Sequence, residues 1–220
     1  VGVSMDAMSA GTELINQNQT AMIKAVAAAN PAKTALVLKD NASSLLPFID
    51  SIPAVLEVWF PGQEDGNIVA NLLMGVVNPS GKLPVTFPMN EGESPANTTM
   101  QYPGVEANGT HTVAYTEGLN IGYRWYDAAK VKPRFAFGYG LSYTNFNIST
   151  LKVSPERSDG TQPITVKVEV KNTGKRDGAE VVQVYLSMPA WLSQPPKRLI
   201  GFQKVMLKAG EKKTVSINID

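Results

Sequence analysis

From Ile164 onward the chain sets Val166, Val168 and Val170 on one side of its backbone and Lys167, Glu169 and Lys171 on the other; Val182, Val184 and Leu186 repeat the pattern. A side-chain period of two belongs to a β-strand, so these aliphatic residues share one buried face only as half-buried sheet. Turn clusters at Asn172-Thr-Gly174 and Ala209-Gly210-Glu211 separate the runs, and Val215, Ile217 and Ile219 form the last one. The segment from Ile148 is therefore expected to be an antiparallel β-sandwich, with about five strands by residue 220 and its last strands still to come.

The first hundred residues follow a different rhythm. Short β-rich runs alternate with helical patterns, as in βαβ units that pack helices on a mostly parallel sheet. Val1–Met5 reads as a strand or the end of one. Thr12–Ala29 reads as a helix, with Leu14, Ile15, Asn18, Met22 and Ala25-Val26 at three- and four-residue spacing and Asn30-Pro31 as its stop. Thr34–Leu38 predicts a short, continuously apolar strand, Ser43–Ser51 a short helix and Ala54–Phe60 another strand. Asn67–Gly75 predicts a third helix with Gly75 at its carboxyl cap, and Lys82–Pro88 an edge strand, because Pro84 donates no ladder hydrogen bond. Residues 89 to 146 are rich in Gly, Pro, Asn and aromatics and read as a long ordered loop region, with short elements only near Val113–Tyr115 and Gly122–Tyr126.

Composition narrows the chemistry. Of 220 residues, 20 are basic and 19 acidic, which leaves no field to attract nucleic acid, and no apolar run approaches a membrane span. There are no cysteines, which removes thiolate metal sites and thiol nucleophiles, and the single histidine, His111, argues against a histidine-based metal site or a Ser-His-Asp triad. Carboxylate, hydroxyl or lysine chemistry remains, or plain binding; no metal and no cofactor is expected. His111 reads as a solvated loop residue. Sequons at Asn18, Asn41, Asn97, Asn108 and Asn147 point to a secreted or extracellular glycoprotein, or a periplasmic protein if the source is bacterial. The start at Val1, without a leader, reads as a processed chain or a fragment.

Several stretches together resemble the carboxy-terminal half of family 3 glycoside hydrolases, the β-glucosidase and β-xylosidase family. They are Phe60-Pro-Gly-Gln-Glu-Asp-Gly66, Asn78-Pro-Ser-Gly-Lys-Leu-Pro-Val-Thr-Phe-Pro88, Tyr115-Thr-Glu-Gly-Leu-Asn-Ile-Gly-Tyr-Arg-Trp-Tyr-Asp127, Phe137-Gly-Tyr-Gly-Leu-Ser-Tyr-Thr-Asn-Phe146, Asn172-Thr-Gly-Lys-Arg-Asp-Gly178 and Gly201-Phe-Gln-Lys-Val205. The resemblance implies an α/β three-layer sandwich, mostly parallel and truncated at its start, then an antiparallel fibronectin type III-like β-sandwich truncated at its end. The expected boundaries are 1–130 for the α/β domain, 131–147 for a connection in which Phe135 to Phe146 staples the two domains, and 148–220 for the β-sandwich. It further implies an upstream barrel domain, in the same protein or as a separate chain, and a β-linked oligosaccharide or glycoside as substrate.

Retaining glycosidases use two carboxyl groups about 5 Å apart, one as nucleophile and one as acid/base. By the resemblance, the nucleophile is an Asp of the barrel. The acid/base belongs to a Glu-Gly-X-Asp-Arg run, which aligns here with Asp6-Ala-Met-Ser-Ala10, so Asp6 is the candidate proton donor, expected at the mouth of a cleft on the carboxyl edge of the parallel sheet. The competing reading is that Asp6 ends a strand or caps the next helix. Trp125 and Tyr126, in an aromatic run between Glu117 and Asp127, are candidate sugar contacts, as is Trp191 in a long loop of the β-sandwich. Each has a purely structural alternative. The lost Asp-Arg pair also leaves open a catalytically degenerate carbohydrate-binding or structural relative.

Overall fold

The structure, a computed structural model, describes residues 17–219, with side chains from Gln19. The expected strand Val1–Met5, the start of the first helix and Asp6 lie outside the described residues. The chain divides into two compact units, residues 1–70 with 85–137 and residues 71–84 with 138–220.

In the first unit, helix α1 (Gln17–Ala29) ends where the sequence places its stop, at Asn30-Pro31. It lies against a 3-10 turn at Ile49–Ser51. Strands β1 (Ala35–Leu38) and β2 (Ala54–Glu57) pair in parallel, with Ala35 opposite Ala54 and Leu38 opposite Glu57. Only Ile49–Ser51 of the expected Ser43–Ser51 helix is helical. Pro47 has no N–H and disfavours helical geometry at Leu46, while Ser44 Oγ donates to Asp40 Oδ2 at 3.0 Å. The second strand stops at Glu57 rather than Phe60, because Trp59 turns into the left-handed region at φ 51°.

Helix α2 (Asp65–Leu73) crosses the sequence boundary between the units and ends as expected, with Gly75 at φ 69° and its N–H donating to the Leu72 carbonyl at 3.0 Å. The short element expected near Val113–Tyr115 lies just before that stretch, as a hairpin of β3 (Val105–Ala107) and β4 (Thr110–Thr112). Asn108-Gly109, at φ 53° and 74°, supplies the positive dihedrals a two-residue hairpin turn requires. Helix α3 (Tyr123–Ala129) follows. Lys82–Pro88 forms no strand: Phe87 makes a single bridge to Phe135, and Pro84 cannot extend a ladder.

The second unit contains β5 (Phe146–Ser154), β6 (Ile164–Asn172), β7 (Gly178–Leu186), β8 (Arg198–Leu207) and β9 (Lys212–Ile219). They form antiparallel sheets in the orders β5-β6-β9 and β7-β8. Val168, Val170, Val182, Leu207, Val215 and Ile217 make the buried core, at about 2 kcal/mol for each aliphatic side chain removed from water. The alternation seen in the sequence is thus the alternation of burial. Residues 71–84 are tied to this unit by side chains. Asn78 donates to the Asp177 carbonyl at 2.9 Å and accepts from Ser142 Oγ and the Tyr143 N–H at 2.8 Å each. Lys82 pairs with Glu180 at 2.8 Å and donates to the Gly140 carbonyl. A Cβ on Gly140 would sit 2.3 Å from the Gly81 oxygen, so only glycine fits there.

Candidate functional site

Because β1 and β2 are parallel, their carboxyl ends emerge at one edge, where open α/β folds gather polar groups. Asp40 stands two residues beyond β1, fully buried, and Glu57 is the last residue of β2. Asp40 and Glu57 lie close enough for each carboxyl to act on the other. Ser44 donates to one oxygen of Asp40, and the Trp59 N–H donates to Glu57 Oε1 at 2.8 Å. Burial is the largest influence on both carboxyls and pushes both pKa values up. Glu57 reaches about 8, with the Asp40 charge adding to burial and the Trp59 and Val58 N–H groups opposing it. Lys39, next in the chain to Asp40, forms an ion pair with Asp65 at the start of α2. Trp59 packs on Phe87 with ring centres 6.1 Å apart, and Phe87 on Phe135 at 6.2 Å.

This pair is not a retaining catalytic dyad. Two buried carboxyls so close together leave no room for the anomeric carbon that must lie between nucleophile and acid/base. A hollow of about 670 Å³ beside α1, lined among others by Ala27, Pro31, Phe48 and Asp50, also lacks a second carboxylate. Among the described residues no cluster of three or more His, Cys, Asp or Glu side chains suits a metal, and no helix is long and apolar enough to cross a membrane.

The sequence candidates occupy separate places. Asp6 lies outside the described residues. Tyr126 on α3 is 6% exposed, and its hydroxyl donates to the Glu93 carbonyl. Burial, and then the Glu93 charge, push the Tyr126 phenol up to about 12. Trp125 is half-buried, edge-on to Tyr126 at 5.1 Å. Trp191 sits on a 3-10 turn of the second unit, Ala190–Leu192, and is 79% exposed. His111 is not simply solvated: on β4 it meets Glu106 Oε1 at 2.9 Å across the hairpin and the Pro103 carbonyl at 2.8 Å. The Asp40–Glu57 pair escapes sequence reading, since only the register of β1 on β2 brings together residues that far apart in the chain. Two acidic residues, each at the end of an apolar strand run, are the available signal.

A unit with parallel strands and helices, with a unit of antiparallel sheets after it in the chain, is a two-part architecture, α/β and then all-β. The model of the glycosyl hydrolase family 3 C-terminal domain matches residues 3–143, and that of the fibronectin type III-like domain matches residues 180–220. The chain belongs to glycosyl hydrolase family 3. It is 43% identical over 215 residues to β-glucosidase B of Emericella nidulans, covering 93% of this chain and 25% of that protein. It is 39% identical over 220 residues to the periplasmic β-glucosidase of Salmonella typhimurium, covering 100% of this chain and 28% of that protein. A crystal structure of a β-glucosidase from Streptomyces venezuelae in complex with D-glucose matches with a TM-score of 0.85 at 42% identity, over 96% of this chain and 26% of that one. The chain thus spans about a quarter of the length of these relatives.

Proposed function

We propose that the protein containing these residues is an exo-acting retaining β-glycosidase, a β-glucosidase in the first instance, that hydrolyses terminal non-reducing β-D-glucosyl residues. The observation that carries this is the 43% identity to a β-glucosidase along 93% of the chain. Similarity to a glucose-bound structure supports a glucoside as substrate. In this reading the nucleophile is an Asp on a barrel domain outside these residues. Asp6 protonates the leaving oxygen and then, as carboxylate, takes a proton from water, as the retaining mechanism requires of one group. Trp191 and Trp125 offer aromatic faces to a sugar. The buried Tyr126 contributes by holding Trp125. The domain boundaries expected from the sequence, near 130 and 148, belong to the same proposal, as does a secreted or periplasmic glycoprotein, supported by the sequons and by a relative named as periplasmic.

In the complete protein, Asp6→Asn is expected to lower kcat on alkyl glucosides by on the order of 100-fold, and far less on activated aryl glucosides, whose leaving groups need no proton. Equal loss on both, or none, removes Asp6 from the role. The lost Asp-Arg pair after Asp6 favours one second reading, a degenerate binding relative; a complete protein with no turnover on any β-glucoside would establish it. The 220 residues alone are expected to release no nitrophenol from an aryl β-glucoside, since without the barrel's nucleophile no covalent intermediate forms. Activity in the purified chain would overturn the assignment of the nucleophile.

A further inference from the structure

The Asp40–Glu57 pair has no part in the glycosidase reading. Each carboxyl has one oxygen satisfied by a donor, Ser44 Oγ for Asp40 Oδ2 and the Trp59 N–H for Glu57 Oε1. The other oxygens, Asp40 Oδ1 and Glu57 Oε2, are buried and receive no N–H or hydroxyl. Two ionised carboxylates cannot stay so close in such a place. Each would carry an unpaired buried charge, and each would repel the other. Lys39, the cation next to Asp40 in the chain, is engaged by Asp65. Among the described residues, Asp40 is the charge that acts on Glu57. A proton held between the two orphaned oxygens would satisfy both at once.

We propose that Asp40 and Glu57 share one proton and act as a positioning pair, one acid and one carboxylate, that holds Trp59 in its left-handed turn at the carboxyl edge of the sheet. The proton bridges the two orphaned oxygens. The outer oxygen of Glu57 is then free to accept the Trp59 N–H, which offsets the cost of φ 51° in a residue with a Cβ. The turn in turn sets the ring of Trp59 on Phe87 and directs the chain into Pro61-Gly62 and α2. This inference is independent of which reaction the complete protein performs.

Such a pair gives stability a pH dependence of definite sign. Glu57 holds its proton to about pH 8 when folded, against 4.5 for the ordinary group, so between those values the folded chain binds more protons than the unfolded one. Stability is therefore highest at the acid end of that window, declines as pH rises through it and levels off above about 8. The test uses the 220-residue chain, with the unfolding temperature followed from about pH 5 to about pH 9 and an infrared spectrum taken at about pH 7. A decline of on the order of 5 °C and a protonated-carboxyl band near neutral pH are expected. Glu57→Gln, whose amide supplies the bridging hydrogen and whose carbonyl still accepts from Trp59, should remove both the band and the decline. Asp40→Asn, which removes the Asp40 charge but leaves Glu57 buried, should weaken the decline without abolishing it. A wild-type spectrum without the protonated band, or a decline that persists unchanged in Glu57→Gln, would overturn the proposal. Should neither variant fold, the wild-type infrared band, present or absent on titration through about pH 8, decides it alone.

Discussion

At the scale of single residues, burial decides what a polar group does here. Tyr126 looks in sequence like one more aromatic of a sugar-binding run, yet its ring is enclosed and its hydroxyl is committed to the Glu93 carbonyl. Tyr126→Phe keeps the packed ring and removes that donor. It should cost about 1–2 kcal/mol of stability, read as a lower denaturant midpoint with an unchanged slope. The Trp191 ring has the opposite environment, open to solvent on a short turn.

At the scale of elements, one buried amide ties the strands of the second unit together. Asn172 ends β6 with no exposed surface; its Nδ2 donates to the Arg176 carbonyl at 2.7 Å and the Leu207 carbonyl at 3.3 Å. Its Oδ1 accepts from Thr144 Oγ1 at 2.7 Å and the Gly174 N–H at 3.1 Å. The Asn172-Thr-Gly174 turn therefore owes its first residue to both sheets, since Leu207 closes β8. Asn172→Ala would strand these partners in a dry core and should destabilise by about 3 kcal/mol, lowering the unfolding temperature by several degrees. Asn172→Asp should fare no better, because a carboxylate offers no donor to either carbonyl and brings a charge into the core.

At the scale of the whole molecule, residues 71–84 belong by contact to the unit that is mostly 138–220. Removing residues 148–220 would leave Asn78 without the Asp177 carbonyl and Lys82 without Glu180, a pair at 17% and 15% side-chain exposure. Among the described residues, the stretch from Asn78 to Lys82 would keep its ties to Gly140, Ser142 and Tyr143. In the complete protein this deletion is expected to lower the unfolding temperature by more than about 5 °C while leaving affinity for soluble glucose within a few-fold, by calorimetry. A large loss of glucose affinity with an unchanged unfolding temperature would instead make the β-sandwich a ligand-binding module.

What the sequence determined by itself is what local periodicity can carry. Val166, Val168 and Val170 alternate with charged residues because a strand has only two faces, and Val215 and Ile217 show the same alternation without reference to any other strand. The α1 stop at Asn30-Pro31, the strand at 35–38 and the Gly75 cap are legible for the same reason, each being settled within a few residues of chain. The Asn108-Gly109 turn carries an equally local signal, in a region whose composition otherwise reads as loop. Tertiary structure alone decided the rest. The end of β2 at Glu57, the left-handed turn at Trp59 and the meeting of Asp40 with Glu57 depend on the register of one parallel strand on another. The attachment of Asn78 and Lys82 to residues about a hundred positions further on depends on how loops pack against a sheet. Periodicity records which face of an element is buried; it holds no record of what lies across from that face, and the chemistry of a buried polar group is set by its neighbour.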